Sequence, residues 1–254
     1  MTQNEDITAS AALIKASTYT VVFTGAGISV ESGIPPFRGH GGIWRHNDPS
    51  CLTMRYFRQQ PKKSWETIRK LFYDLIATAQ PNGAHRAIAD LEKRGHVNSV
   101  ITQNIDGLHQ KAGSQTVYEY HGTIKKLVCI ECFHPVESHS IDFSALPPVC
   151  PECGGILKPD FVFFGETIPK KITDLCSGEA HYADVMIVIG TSGSVKPASM
   201  IPFAAKRAGA TIIEVNTEPS AYTRQITDIF LKGGATNVLT RMVDMIIDNR
   251  QGLS

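Results

Sequence analysis

Tyr19-Thr20-Val21-Val22-Phe23 is a short β-branched and aromatic run that leads through Thr24 into Gly25-Ala26-Gly27. The order reads as a buried strand delivering its C-terminal end to a tight turn. Glycines there let backbone N–H groups approach a pyrophosphate at a helix N-terminus. An ordinary strand-to-helix turn would look the same, because Val30 stands where the dinucleotide fingerprint has its third glycine. A dehydrogenase would continue with a helix and a second strand ending in Asp or Glu. This chain runs instead into Gly33-Ile34-Pro35-Pro36-Phe37-Arg38-Gly39. The opening suits a dinucleotide and argues against hydride transfer.

Outward from that strand the periodicity alternates. Strands are expected at Val97–Ile101, Val117–Tyr120, Phe161–Phe164, Val185–Ile189 and Thr211–Val215. The last two are continuous apolar or β-branched runs, as in strands covered by helices on both faces. A helix is expected from Pro61 to Pro81, with Trp65, Ile68, Phe72, Leu75, Ile76 and Ala79 on one stripe. Others are expected from Ala84 to Leu91 with Gly95 past the end, over Pro197–Arg207 closed by Gly209, and over about Asn237–Asn249. This alternation predicts an α/β fold with a doubly wound parallel sheet. Two stretches break it: Pro35 to Pro81, a loop plus helix without a second strand, and Ile124 to Pro159. Both read as excursions that could build a smaller lobe.

The second excursion holds Cys129-x2-Cys132 and Cys150-x2-Cys153, with seventeen residues between the pairs. That is zinc-ribbon spacing, in which two tight turns close a tetrahedral site of four thiolates. All four positions are then filled, so the expected Zn²⁺ is structural. Cys51 and Cys176 stand alone and read as buried, inert thiols. With 25 Lys and Arg against 24 Asp and Glu, bulk electrostatic binding to nucleic acid or an anionic membrane is not expected. No apolar run approaches the roughly 18–20 residues that span a bilayer. Met1-Thr2-Gln3-Asn4-Glu5-Asp6 lacks the cationic and apolar regions of a signal peptide, so a cytoplasmic location is expected.

Other strand ends carry polar clusters. Thr102-Gln103-Asn104-Ile105-Asp106 offers amides and a carboxylate suited to amide and ribose recognition, or to a polar turn that caps a helix. Glu119-Tyr120-His121-Gly122 brings a histidine, the natural general base near neutral pH, to the edge of the cysteine-bearing stretch. Gly190-Thr191-Ser192 and Asn216-Thr217-Glu218 end two further strands with groups that hold phosphate and ribose or cap the next helix.

In chain order the motifs are Gly25-Ala26-Gly27-Ile28-Ser29, Ser32-Gly33-Ile34-Pro35, Phe37-Arg38-Gly39 and Thr102-Gln103-Asn104-Ile105-Asp106. Then come His121-Gly122, both cysteine pairs, Phe164-Gly165-Glu166, Gly190-Thr191-Ser192 and Asn216. Together they resemble the sirtuin family of NAD-dependent protein lysine deacylases, from Gly25 to about Ala235. The resemblance implies a single catalytic domain over residues 1–254. Its Rossmann-like NAD part would take about residues 1–35, 82–123 and 160–254. Its small lobe would combine a helical module, about 36–81, with a zinc ribbon, about 124–159.

By the same resemblance, Gly25, Ala26, Gly27, Val30 and Arg38 would line the phosphate and ribose side of NAD, and Phe37 would cover the nicotinamide. Ile105 and Asp106 would hold its carboxamide, and Gln103 and Asn104 would order its ribose; His121 would be the general base, with Asn104 the second catalytic residue. Gly190, Thr191, Ser192, Asn216 and Thr217 would hold the phosphate and adenosine end, with Ala235 near adenine. An acyl-lysine protein or peptide would lie as an added strand between Val162, Phe164, Gly165, Glu166 and the Val195 loop. The implied reaction moves the acyl group from lysine to ADP-ribose and releases nicotinamide. A mono-ADP-ribosyltransferase is the alternative on this scaffold. So is a desuccinylase, but those sirtuins carry a Tyr-x-x-Arg pair early in the helical module. Aligned on Trp65, this chain has Ile68 and Leu71 there; the alternative register puts Tyr73 first but Ile76 in place of the Arg, and either register implies a deacetylase. Pro36, Gly193 and Lys158 depart from the residues most common in the family.

Overall fold

The computed structural model describes residues 2–37, 41–45 and 47–248. Its strands are β1 (Thr20–Thr24), β2 (Ser99–Thr102), β3 (Val117–Glu119), β4 (Gly122–Cys129), β5 (Pro135–Glu137), β6 (Leu157–Phe161), β7 (Val185–Ile189), β8 (Thr211–Asn216) and β9 (Ile229–Lys232). Its α-helices are α1 (Gln3–Ala16), α2 (Met54–Gln59), α3 (Pro61–Ile68), α4 (Asp74–Ile76), α5 (Gly83–Lys93), α6 (Leu108–Ala112), α7 (Lys170–Tyr182), α8 (Met200–Ala208) and α9 (Ala235–Asp248). No helix among the described residues is long and apolar enough to cross a membrane.

Six strands form the large sheet in the order β3-β2-β1-β7-β8-β9, and every neighbouring pair is parallel. The chain builds outward from β1 to β3 on one side, then returns to β7 and builds outward on the other. The order therefore reverses between β1 and β7, and α/β sheets bind ligands at the carboxyl ends of such a pair. All five residues of β1 and all five of β7 are buried. Alternate side chains feed opposite faces: Val22, Val100, Ile187 and Ile213 pack with α1, α5 and α9, while Phe23, Ile101, Met186 and Val188 pack with α7 and α8.

β5-β4-β6 is a small antiparallel sheet with an irregular register between Gly122 and Leu127. Its Leu127, Cys129 and Leu157 share a core with Phe57, Trp65, Ile68 and Phe72 of the 54–76 segment. Trp65 ties the two together, since its Nε1–H donates to the Leu157 carbonyl at 2.8 Å.

Two expectations need correction. The helix from Pro61 to Pro81 is not continuous: between α3 and α4 the segment Arg69–Tyr73 is π-helical. One extra residue in that turn rotates the side chains beyond it about the helix axis. The strand expected at Phe161–Phe164 lies earlier, at Leu157–Phe161, because Val162 and Phe164 send their N–H groups to loop carbonyls outside the ribbon. α1, α7 and β9 give no clear periodic signal in the sequence. Helix α1 is set by a capping box in which the Thr2 hydroxyl and the Glu5 carboxylate satisfy each other's backbone N–H. Asn249, expected at the end of the last helix, lies outside the described residues.

Candidate active site

Beyond β1 the chain enters a tight 3₁₀ segment, Ala26–Ser32, that packs backbone to backbone against the turn after β7. Gly27 N–H donates to the Gly190 carbonyl at 2.8 Å, and Gly25 N–H to the Ile189 carbonyl at 3.0 Å. A Cβ on Gly27 would stand 2.6 Å from Gly190 Cα, and Gly190 itself has φ +61°, so only glycine fits both places. The 3₁₀ segment is pinned from behind by Asn82, whose Nδ2 donates to the Ile28 carbonyl at 2.7 Å.

The loop after β2 meets this turn. Asn104, 5% exposed, donates from Nδ2 to the Gly25 carbonyl at 3.2 Å and to Ser29 Oγ at 3.1 Å. Ser29 Oγ donates in turn to Asp106 Oδ2 at 2.7 Å, and Asp106 Oδ1 accepts from Leu108 N–H at 2.9 Å. Burial pushes the Asp106 carboxyl pKa up, against the pull of those hydrogen bonds. Gln103 Nε2 donates to Thr24 O at 3.3 Å and to Thr191 Oγ1 at 3.1 Å, so it bridges β1 and β7. Ser29 is the member of this network to which sequence reasoning assigns no role, although it stands in the Gly25–Ser29 motif.

His121 follows β3. Its Nδ1 lies 3.0 Å from the Gln103 carbonyl, which can only accept, so Nδ1 carries the proton and Nε2 keeps its lone pair. Burial lowers the imidazole pKa, which favours the neutral ring, while the hydrogen bond to Gln103 opposes that shift. A neutral, oriented ring with one free nitrogen is what a general base requires.

An apolar pocket opens beside this network. It is lined by Ala26, Ser29, Ile34, Phe37, Asn104, Ile105 and Asp106 on one side and by Ile43, Leu71, Phe72 and Ile76 on the other. Phe37 stacks on Trp44 with ring centroids 5.9 Å apart and lies 6.2 Å from Phe72. Around the π-helical turn, Leu71, Phe72 and Ile76 of the helical segment face the pocket, while Ile68 is fully buried in the core. Arg69 points elsewhere, donating from Nη1 to the Phe143 carbonyl at 2.9 Å and pairing with Asp74 at 3.5 Å.

On the β7–β8 side, Asn216 Nδ2 donates to the Thr191 carbonyl at 3.0 Å, Thr217 N–H donates to Asn216 Oδ1 at 3.0 Å, and Ser192 and Ser194 hydroxyls lie 2.8 Å apart. Ala235 opens α9, and Val30 is 45% exposed. Val162 N–H donates to the His121 carbonyl at 2.9 Å, so the Val162–Glu166 turn begins directly beside the histidine. Val195 sits where the chain enters α8, its carbonyl accepting from Ser199 N–H at 2.8 Å. Arg38 lies outside the described residues.

The four cysteines come together. Sγ atoms lie 3.5 Å apart for Cys129 and Cys153, 3.7 Å for Cys132 and Cys150, and 3.4 Å for Cys132 and Cys153. A tetrahedral ion with Zn–S bonds of about 2.3 Å sets its sulfurs about 3.8 Å apart, and the four Sγ atoms, all within 4.8 Å of one another, suit such a site. N–H groups of Glu131 and Cys132 donate to Cys129 Sγ, and Gly155 N–H donates to Cys153 Sγ, which favours thiolates.

Comparison with known proteins bears on the same residues. A sequence profile of the Sir2 family matches residues 25–197. The NAD-dependent protein deacylase 2 of Pyrobaculum aerophilum is 45% identical over 252 residues, covering 95% of this chain and 98% of that one. The structure of a mutant Sir2 homologue in complex with ADP-ribose superposes with a TM-score of 0.91 at 37% identity, over 97% of this chain and 98% of that one. A Sir2 mutant with a deacetylated p53 peptide and 3′-O-acetyl ADP-ribose gives 0.88 at 31% identity, over 99% of both chains.

Proposed function

The chain belongs to the Sir2 family, and from that premise we propose that it removes acetyl groups from protein lysines with NAD as co-substrate. The observation that carries the reading is the His121 ring: proton held on Nδ1 by the Gln103 carbonyl, lone pair on Nε2, and Asn104 and Asp106 fixed through Ser29. When bound, NAD supplies a ribose carbon that takes the acyl oxygen and a nicotinamide that leaves as a neutral base. The residues fit it. The Gly25-Ala26-Gly27 turn lies at the reversal point of the sheet against Gly190, Asn216 is bonded to the Thr191 carbonyl at the ends of β8 and β7, Val30 continues the 3₁₀ segment, and Ala235 opens α9.

In this reading Asp106 and Ile105 hold the carboxamide, Asn104 and Gln103 order the ribose, Phe37 and Phe72 keep water out, and His121 Nε2 takes a ribose hydroxyl proton. The peptide lies along Val162–Glu166 and the Val195 loop, in a cleft between the parallel-sheet part and a small lobe made of residues 36–81 and 124–159. Among the described residues, the helical module turns Ile43, Leu71, Phe72 and Ile76 toward this site, all apolar, and Arg69 is engaged elsewhere. A succinyl carboxylate there would stand unpaired, so neutral acyl groups are preferred. Four thiolates hold one structural Zn²⁺, and a cytoplasmic location suits six unpaired cysteines.

The test is mass spectrometry of an acetyl-lysine peptide incubated with the protein and NAD. Free lysine, nicotinamide and O-acetyl-ADP-ribose are expected. His121→Ala should cut turnover by about 10²–10⁴-fold while melting and NAD binding persist. ADP-ribose retained on protein, without peptide deacetylation, would instead establish the transferase.

A further inference from the structure

The turn at the far end of the ribbon is held by a lysine that the proposed chemistry does not use. Within a few residues of the end of β6, the chain touches two separate parts of the molecule. Val162 N–H reaches the His121 carbonyl at 2.9 Å, and Phe164 N–H reaches the Leu52 carbonyl of the helical segment at 2.8 Å. Glu166 closes the turn: its N–H donates to the Phe163 carbonyl at 3.0 Å, and its Oε2 accepts from Phe163 N–H at 2.6 Å.

Lys158 sits inside. Its ammonium donates to Glu166 Oε2 at 3.0 Å, to the Phe161 carbonyl at 2.7 Å and to the Pro159 carbonyl at 3.2 Å, which uses all three of its N–H groups. It also lies 4.3 Å from the centroid of the Phe163 ring. The two charged side chains are only 12% and 28% exposed, so the pair is sheltered in a way that surface pairs are not. None of these acceptors belongs to the zinc site or to the residues assigned to NAD. Backbone pairing of Lys158 with Val128 on β4 does not need the side chain either.

We propose that Lys158 is a positioning residue for the peptide. By gathering Phe161, Phe163 and Glu166 it holds the Val162–Glu166 turn in the shape that keeps both backbone anchors, to His121 and to Leu52, and so sets peptide affinity. This rests on reading that turn as the peptide's docking edge. His121 keeps its ring orientation through Gln103 independently, so turnover of bound peptide and NAD binding should be spared.

The experiment compares wild type with Lys158→Met, Lys158→Arg and Glu166→Gln in the full-length protein. Lys158→Met should raise the peptide KM about tenfold, with kcat and the NAD KM within about twofold. Lys158→Arg should recover most of the loss, and Glu166→Gln should raise KM with little further effect when combined with Lys158→Met, as expected for one coupled pair. An unchanged peptide KM in Lys158→Met, or a parallel fall in kcat and NAD affinity, overturns the proposal. Should wild type fail to deacetylate any peptide, the functional reading itself has failed. Amide hydrogen exchange then judges the turn: faster exchange at Val162 and Phe164 in Lys158→Met, with Ile187 unchanged, supports the clamp, and unaltered exchange at both rejects it.

Discussion

In the parallel sheet, β1 and β7 hide every side chain, and apolar residues from five helices press on the two faces. In the ribbon, β4 mixes buried positions with the exposed Lys125 and Lys126, β5 is largely exposed, and Cys132 and Cys153 are open to solvent. The sheet spreads its stability over many small burial terms, each roughly 25 cal/mol per Å² of apolar surface. The ribbon concentrates its stability in four sulfurs and a few contacts such as Trp65 with Leu157 and Phe143. A defect should therefore be diluted in the first region and decisive in the second.

Removing the metal gives the largest effect. Structural zinc contributes apparent free energies of about 10–16 kcal/mol in small isolated domains, so Cys150→Ser or a strong chelator should open the ribbon. In a Trp44→Phe background, Trp65 emission should shift red as its bond to Leu157 is lost, and deacetylation should fall with it. Far-UV circular dichroism should keep most of its helical signal, because α1, α5 and α9 pack on the other region. Collapse of both signals together would show that the sheet leans on the ribbon and break the comparison.

Acid should reach the two regions by different chemistry, with a smaller effect on the sheet. His85 and His109 are 0% and 1% exposed with ring centroids 4.9 Å apart. His85 Nδ1 lies 3.0 Å from Asn82 Oδ1, and His109 Nε2 lies 3.0 Å from Thr24 Oγ1, but His85 Nε2 and His109 Nδ1 have no partner. Burial pushes their pKa values from 6.5 down to about 4 and about 3. Below about pH 6.5 the unfolded chain takes up protons that the folded chain refuses. The contribution of the neutral pair is thus complete above that pH and is lost as pH falls toward the folded values. The slope is about 1.4 kcal/mol per pH unit for each histidine at most. Urea midpoints followed by circular dichroism should drop between pH 7 and 5, and less steeply in His85→Gln. An equal slope in that variant would move the cause to other groups. Trp65 emission recorded in parallel reports the ribbon, whose thiolates bind protons in place of metal.

The same contrast governs what the sequence discloses. Val185–Ile189 is readable to the residue because a strand buried on both faces must be continuously apolar. Both cysteine pairs are readable because thiolate chemistry demands their spacing. The strand expected at Phe161–Phe164 is displaced because Phe161, Phe163 and Phe164 are apolar for different reasons: two fill the core, and the third stands 43% exposed beside Trp44. The π-helical turn leaves no mark on periodicity, yet its Leu71 and Phe72 face the pocket. Lys158 and Ser29 act through contacts that spacing and periodicity do not encode, and single-sequence reading does not see such pairs.

The smallest effect lies within the ribbon, where its two cysteine turns can be compared with each other. Phe133 N–H donates to the Cys129 carbonyl at 3.1 Å, and Gly154 N–H donates to the Cys150 carbonyl at 2.9 Å, so the two turns are built alike. The residue after each second cysteine takes a left-handed backbone, with φ 61° at Phe133 and 73° at Gly154. A side chain there costs about 1–2 kcal/mol. Phe133 is 75% exposed and has little packing to lose on truncation. Glycine relieves the backbone but adds about 0.5–1 kcal/mol of unfolded-state entropy, so Phe133→Gly should stabilise the ribbon by about half a kcal/mol. Gly154→Ala should do the reverse, since a Cβ there meets nothing within 4 Å and only conformation is at stake. The chelator concentration that releases half the zinc, read by a colorimetric zinc indicator, should rise slightly for the first variant and fall for the second. Weaker zinc retention in Phe133→Gly would mean that the exposed ring, not the backbone, governs this turn.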